Sequence, residues 1–198
     1  MEIISMNCPN CGASVTTKVK QCEYCMSDIL IRSFRNLSSM PLPQVNKYMA
    51  NYRTASAEHP SHKDVNLSTG LCFLRLKKYD QALEYFEKAQ ADNFEDAAPF
   101  FYAAVCRLKG RKPFLCSRQE IDQMETDINA AISIEPSVEQ YYFLSYIGRD
   151  YFERKYLNHE PSWKSLMEEA VNNGLSSADV EEFHTMTGTP IDISLDTL

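Results

Sequence analysis

The chain has 198 residues, 44% of them hydrophobic and 24% charged, a composition of globular rather than disordered or fibrous proteins. A net charge of −7 and a pI of about 5.1 exclude the basic excess of a large nucleic-acid footprint. No apolar run approaches the ~18 residues of a membrane span, and the opening MEIISMNCPNC lacks the basic and apolar regions of a signal peptide. A cytoplasmic setting is expected, where the seven cysteines are not read as disulfides.

Four of those cysteines, Cys8, Cys11, Cys22 and Cys25, form two C-x-x-C pairs separated by ten residues. Two residues between cysteines let both sulfurs of a turn face one point, and two such turns close a tetrahedral shell of four thiolates. Gly12 suits the left-handed turn of the first pair, whereas the second pair has Met26 at that place. Between the pairs, ASVTTKV is rich in β-branched residues and reads as strand. Residues 6–30 resemble a zinc ribbon, although the spacer is shorter than the ~15–20 residues usual between such pairs. The resemblance implies one structural Zn²⁺, since four thiolates leave no open position for an activated water. Iron in the same shell stays open on the donor set alone. A redox C-x-x-C lacks its βαβ setting here.

Residues 31–42 are expected to be a linker, ending in the helix-breaking MPLP at residues 40–43. From Gln44, the apolar positions Val45, Tyr48, Met49, Tyr52 and Ala55 keep helical spacing up to His59-Pro60. Residues 63–95 then hold two amphipathic runs that meet at Lys77-Lys78, with small residues at Gly70 and Ala82 where the runs would touch.

Counted from Lys63, Gly70, Tyr79, Ala82, Phe86 and Ala89 fall at the spacing of a tetratricopeptide repeat, a helix-turn-helix unit of about 34 residues, which this stretch resembles. Asn66 stands in the usual Trp slot and Phe94 in that of the closing Pro. In the same register, Pro60 and Ala55 match the end of a preceding half-repeat. The next unit begins near Ala97 with Phe100, Ala103 and Ala104, carries an insertion around residues 110–117, and continues through Ile121, Met124, Ile128 and Ala131. A third, degenerate unit starts near Val138; its first helix runs past Gly148 to about Leu157, and Trp163 takes a slot that usually wants Ala. Residues 177–183 read as a short terminal helix.

The expected architecture is mainly α, a tetratricopeptide-like antiparallel helix-pair solenoid with a small N-terminal β zinc ribbon. The expected divisions are a ribbon over 1–30, a linker over 31–42, a helical domain over 43–186 and a loose tail over 187–198. The resemblance implies a concave groove for a protein or peptide partner, lined by Leu67, Leu71, Leu74 and Arg75 in the first unit. Phe101, Val105, Leu108 and Lys109 line it in the second, and Arg149 in the third. The Lys and Asn clamp used by relatives that bind terminal carboxylates is replaced by Leu67, Leu71 and Phe101, so that activity is not carried over.

No enzyme is expected. The histidines His59, His62, His159 and His184 fall in expected loops or near helix ends, and no phosphate loop, H-E-x-x-H or G-x-S-x-G occurs. Cys116 is the one candidate reactive thiol and lacks an evident base. The reading is a non-catalytic adaptor whose repeats hold one partner and whose ribbon docks another; oligomeric state stays open. The alternative is a transcription-related ribbon that reads nucleic acid. Against it, Lys18, Lys20, Arg32 and Arg35 are nearly balanced by Glu2, Glu23, Asp28 and the charge of four thiolates on one Zn²⁺.

Overall fold

Helical spacing accounts for most of the backbone in the computed structural model, which describes residues 3–191. The chain is mainly α, built of paired helices, with a small two-stranded sheet near its start. It divides between Phe94 and Glu95 into two compact units. Residues 192–198, most of the expected tail, lie outside the described residues. Among the described residues, no helix is long and apolar enough to cross a membrane.

The first unit opens with β1 (Ser5–Asn7) and β2 (Ser14–Thr16), antiparallel, with Met6 opposite Val15 and both side chains turned inward. A short helix, α1 (Arg35–Ser38), precedes α2 (Leu42–Glu58), where Pro43 sits in the first turn and needs no N–H partner. Helix α3 (Lys63–Arg75) begins at His62, whose ring accepts a hydrogen bond from the Val65 N–H. It turns through Lys77, left-handed at φ 57°, into α4 (Tyr79–Gln90).

Gly70 and Phe86 are both buried where α3 packs on α4. Asn66, in the family's Trp slot, is fully buried but satisfied: its amide donates to the Pro60 carbonyl and its oxygen accepts from Ser56 of α2. A hydrogen-bonded joint between α2 and α3 thus replaces the bulk of an indole. Phe94, in the Pro slot, is 80% exposed.

The expected linker has a different role. Ile29, Ile31, Phe34 and Leu37 are all buried, and each is worth ~2 kcal/mol of burial. Residues 31–38 run along α3 and are fastened to it at both ends. The Ile31 N–H donates to the Ser68 hydroxyl at 3.0 Å, and Ser68 donates back to the Ile31 carbonyl at 2.8 Å. Arg32 pairs with Asp64 at 2.9 Å. Arg75 donates to the carbonyls of Leu37 and Ser38 at 3.0 and 3.1 Å.

In the second unit, α5 (Ala98–Leu108) ends on left-handed Lys109 and packs against α6 (Arg118–Ile134). The inserted loop is ordered by a 3-10 turn at Pro113–Leu115 and by the Phe114 N–H, which donates to Asp150 at 2.8 Å. Ser117 and Glu120 cap α6 reciprocally, and Arg111 reaches the same carboxylate at 2.6 Å. Helix α7 (Val138–Ile147) widens at Gly148–Phe152 and tightens at Glu153–Lys155 before Tyr156 stops it, left-handed at φ 56°. The widening falls where a Cβ on Gly148 would lie 2.9 Å from the Cβ of Trp163. Helix α8 (Trp163–Asn172) is capped by Ser162, whose hydroxyl accepts from the Ser165 N–H at 3.2 Å. Helix α9 (Ser177–Thr187) packs on α5 and α7.

The candidate metal centre and the expected groove

Each cysteine pair sits in a tight turn made the same way. The Gly12 N–H bonds the Cys8 carbonyl and the Met26 N–H bonds the Cys22 carbonyl, both at 2.9 Å. The residues after the second cysteine are both left-handed, Gly12 at φ 81° and Met26 at φ 59°. Met26 therefore adopts the conformation that glycine would take at less cost. The Asn10 amide donates to the Ser27 hydroxyl at 2.7 Å, tying one turn to the other. Helix α2 supports both: the Asn51 amide reaches the Pro9 carbonyl at 3.2 Å, and the Tyr52 hydroxyl donates to Ile29 at 2.9 Å.

The four sulfurs converge. All lie within 4.8 Å of one another, with Cys8 to Cys25 at 3.7 Å and Cys11 to Cys22 at 3.6 Å. None is close enough to a partner for a disulfide. A tetrahedron with bonds of ~2.3 Å has edges of about 3.8 Å, so this spacing fits a thiolate-bound metal ion.

Electrostatics agree with that fit. The Ala13 N–H lowers the Cys11 thiol, but desolvation and the sulfurs of Cys25, Cys8 and Cys22 outweigh it and push the group up to about 12. The Ser27 N–H, and then its hydroxyl, bring Cys25 down to about 6. Four thiolates this close repel one another, so the bare cluster keeps protons that a divalent cation would displace.

The expected groove residues are distributed differently. Leu67, Leu71 and Leu74 are buried, and Arg75 is committed to the Leu37 and Ser38 carbonyls; in this unit the chain's own residues 31–38 lie where an open lining was expected. Val105 and Leu108 are also buried. Phe101 is half-buried, with its ring edge-on to Phe143 at 6.4 Å. Lys109 is exposed, and the half-buried Arg149 lies 5.3 Å above the Trp163 ring.

Several polar residues were misplaced by sequence reasoning. His62, at the start of α3, is buried rather than in a surface loop, and His184, near the end of α9 as expected, is buried too. His184 bridges the Tyr142 hydroxyl and Thr189, at 2.8 and 2.9 Å. His159 pairs with Glu125 at 2.6 Å and lies against Phe152. Cys116 is buried, which raises its thiol above the ordinary value. The only early signal was for His62, which stands three residues before an apolar helical position.

No family model matches the chain, and no curated protein matches it in sequence. Among solved structures, it is similar to one titled "Crystal structure of MamA", with a TM-score of 0.49 and 11% identity over 80% of this chain and 76% of that one. The fold assignment rests on the helix hairpins themselves.

Proposed function

We propose that this chain is a non-catalytic adaptor in which one structural Zn²⁺, held by Cys8, Cys11, Cys22 and Cys25, organises the N-terminal ribbon and the helix hairpins engage a protein partner. The observation that carries the reading is the convergence of the four sulfurs at tetrahedral-edge spacing. All seven cysteines being unpaired suits a reducing, cytoplasmic setting. The ribbon's outward residues, Tyr24 and Met26, flank the centre without serving the core and are its docking candidates. Phe101, Lys109 and Arg149 are the nominated groove residues that keep exposed surface for the helical partner.

Elemental analysis of protein purified without added metal tests the first half, with one zinc per chain expected. Affinity purification tests the second, comparing the parent chain with a Tyr24→Ala/Met26→Ala variant and a Phe101→Ala/Lys109→Glu variant. Each variant is expected to lose a different interactor. Loss of the same interactor by both, or of none, would refute two docking surfaces.

A further inference from the structure

We infer that the α3 face bearing Asp64, Ser68 and Arg75 is a recognition surface for a peptide segment that ends in a helical turn, occupied in cis by residues 29–38, and that the metal centre holds this occupant in place. The inference rests on reading the four cysteines as a metal site. Asp64, Ser68, Leu71 and Arg75 follow one another at helical spacing and share one face of α3. Two of them read main chain: Ser68 takes both the N–H and the carbonyl of Ile31, and Arg75 takes successive carbonyls at Leu37 and Ser38. Asp64 reads a cation, Arg32. Burial of Ile31, Phe34 and Leu37 adds apolar anchors.

Main-chain contacts are indifferent to side-chain identity, so the face fits a segment with an apolar residue, a cation next to it, and apolar residues three and six positions after the first, the last two carried on a short helical turn as Phe34 and Leu37 are. The chain's own segment meets those terms because it is delivered by the second cysteine turn. The Ile29 N–H bonds the Lys20 carbonyl at 2.9 Å, the Tyr52 hydroxyl bonds the Ile29 carbonyl, and Gln21 bridges Asp28 across the turn that Cys22 and Cys25 close. When the metal leaves, that turn loses its fastening and the cis occupant its tether. The vacated face then accepts a segment of the same pattern from another molecule.

The test is hydrogen exchange on the full chain, metal-loaded and after chelation under reducing conditions, paired with binding of a labelled synthetic peptide of residues 28–40. Chelation is expected to strip protection from residues 29–38 while Tyr79–Gln90 stays protected. The peptide is expected to bind the metal-loaded chain at least about tenfold more weakly than the chelated one, because the cis occupant competes. Asp64→Lys is expected to weaken peptide binding to the chelated chain. Undiminished protection of 29–38, joint loss of protection in 29–38 and Tyr79–Gln90, or equal peptide affinity in both states would overturn the inference. Metal content is read first. A chain that holds no metal sinks the metal-centre reading together with this one; bound metal with an unchanged segment sinks only this one.

Discussion

Gly70 lies so close to Phe86 that a Cβ built on it would stand 2.6 Å from the ring's Cε1 and 2.7 Å from its Cδ1. Both residues are buried, so a methyl group there forces the ring or the helix to shift against its packed surroundings. Gly70→Ala should therefore destabilise the first unit by ~1–3 kcal/mol of overpacking, reduced by the ~1 kcal/mol that alanine gains in helix propensity. A urea titration should show a lower midpoint with unchanged slope. Phe86→Leu should cost less in the Gly70→Ala background than alone, since the two changes relieve each other.

Met26 and Gly12 occupy equivalent left-handed positions, which gives two substitutions of opposite sign. Met26 is 67% exposed and packs little, so Met26→Gly should raise the stability of the metal-loaded protein by about 1 kcal/mol through relief of backbone strain. Gly12→Ala should lower it by a similar ~1 kcal/mol, although nothing lies within 4 Å of the added Cβ. Thermal melts of the two variants should move apart.

Metal removal should separate the cysteines into two chemical classes. After chelation, Cys8, Cys11, Cys22 and Cys25 should react with a disulfide reagent. Cys72, Cys106 and Cys116 should wait for denaturant, because all three are buried and burial alone pushes Cys72 up to about 12. Acidification should release the metal as thiolates take up protons, whatever the fold does. Seven thiols reacting at once would show that the helical core fails with the ribbon.

Glu120 offers a pH test in the second unit. The Arg111 guanidinium first, and then the Ser117 N–H, hold its carboxyl at about 2, against an ordinary value of 4.5. A depressed carboxylate stabilises the folded state fully above its unfolded pKa and ceases to as pH falls through the folded one. Parent and Glu120→Gln should therefore differ at neutral pH, and the difference should shrink to nothing between about 4.5 and 2. The side chain is 34% exposed, so solvent screening keeps the expected difference to ~1 kcal/mol. Urea denaturation across that range, with Gln retained as the helix cap, measures it.

What could be read from sequence was what repeats or has fixed spacing. The paired C-x-x-C motifs named the four sulfurs, and the period of α3 and α4 placed Gly70 against the second helix. Residues 31–42 misled because Ile31, Phe34 and Leu37, though three apart, form too short a run before the helix-breaking MPLP for their spacing to declare burial. Their docking partners, Asp64, Ser68 and Arg75, looked like ordinary polar positions on an amphipathic helix. The groove was placed by family position alone, which assumes an uncovered face; whether a chain covers its own face depends on contacts across 37 positions, as between Ile31 and Ser68. Strand β1, three residues long, is too short for alternation to declare itself. The Gly148–Trp163 contact was half legible, since Trp163 in a small-residue slot demanded a concession somewhere.

That contact also gives the protein a built-in optical reporter. Trp163 is the one tryptophan in the sequence, and it sits beside Gly148 under the guanidinium of Arg149. Its emission will therefore follow the environment of α8, so a fluorescence trace alone records the state of the second unit.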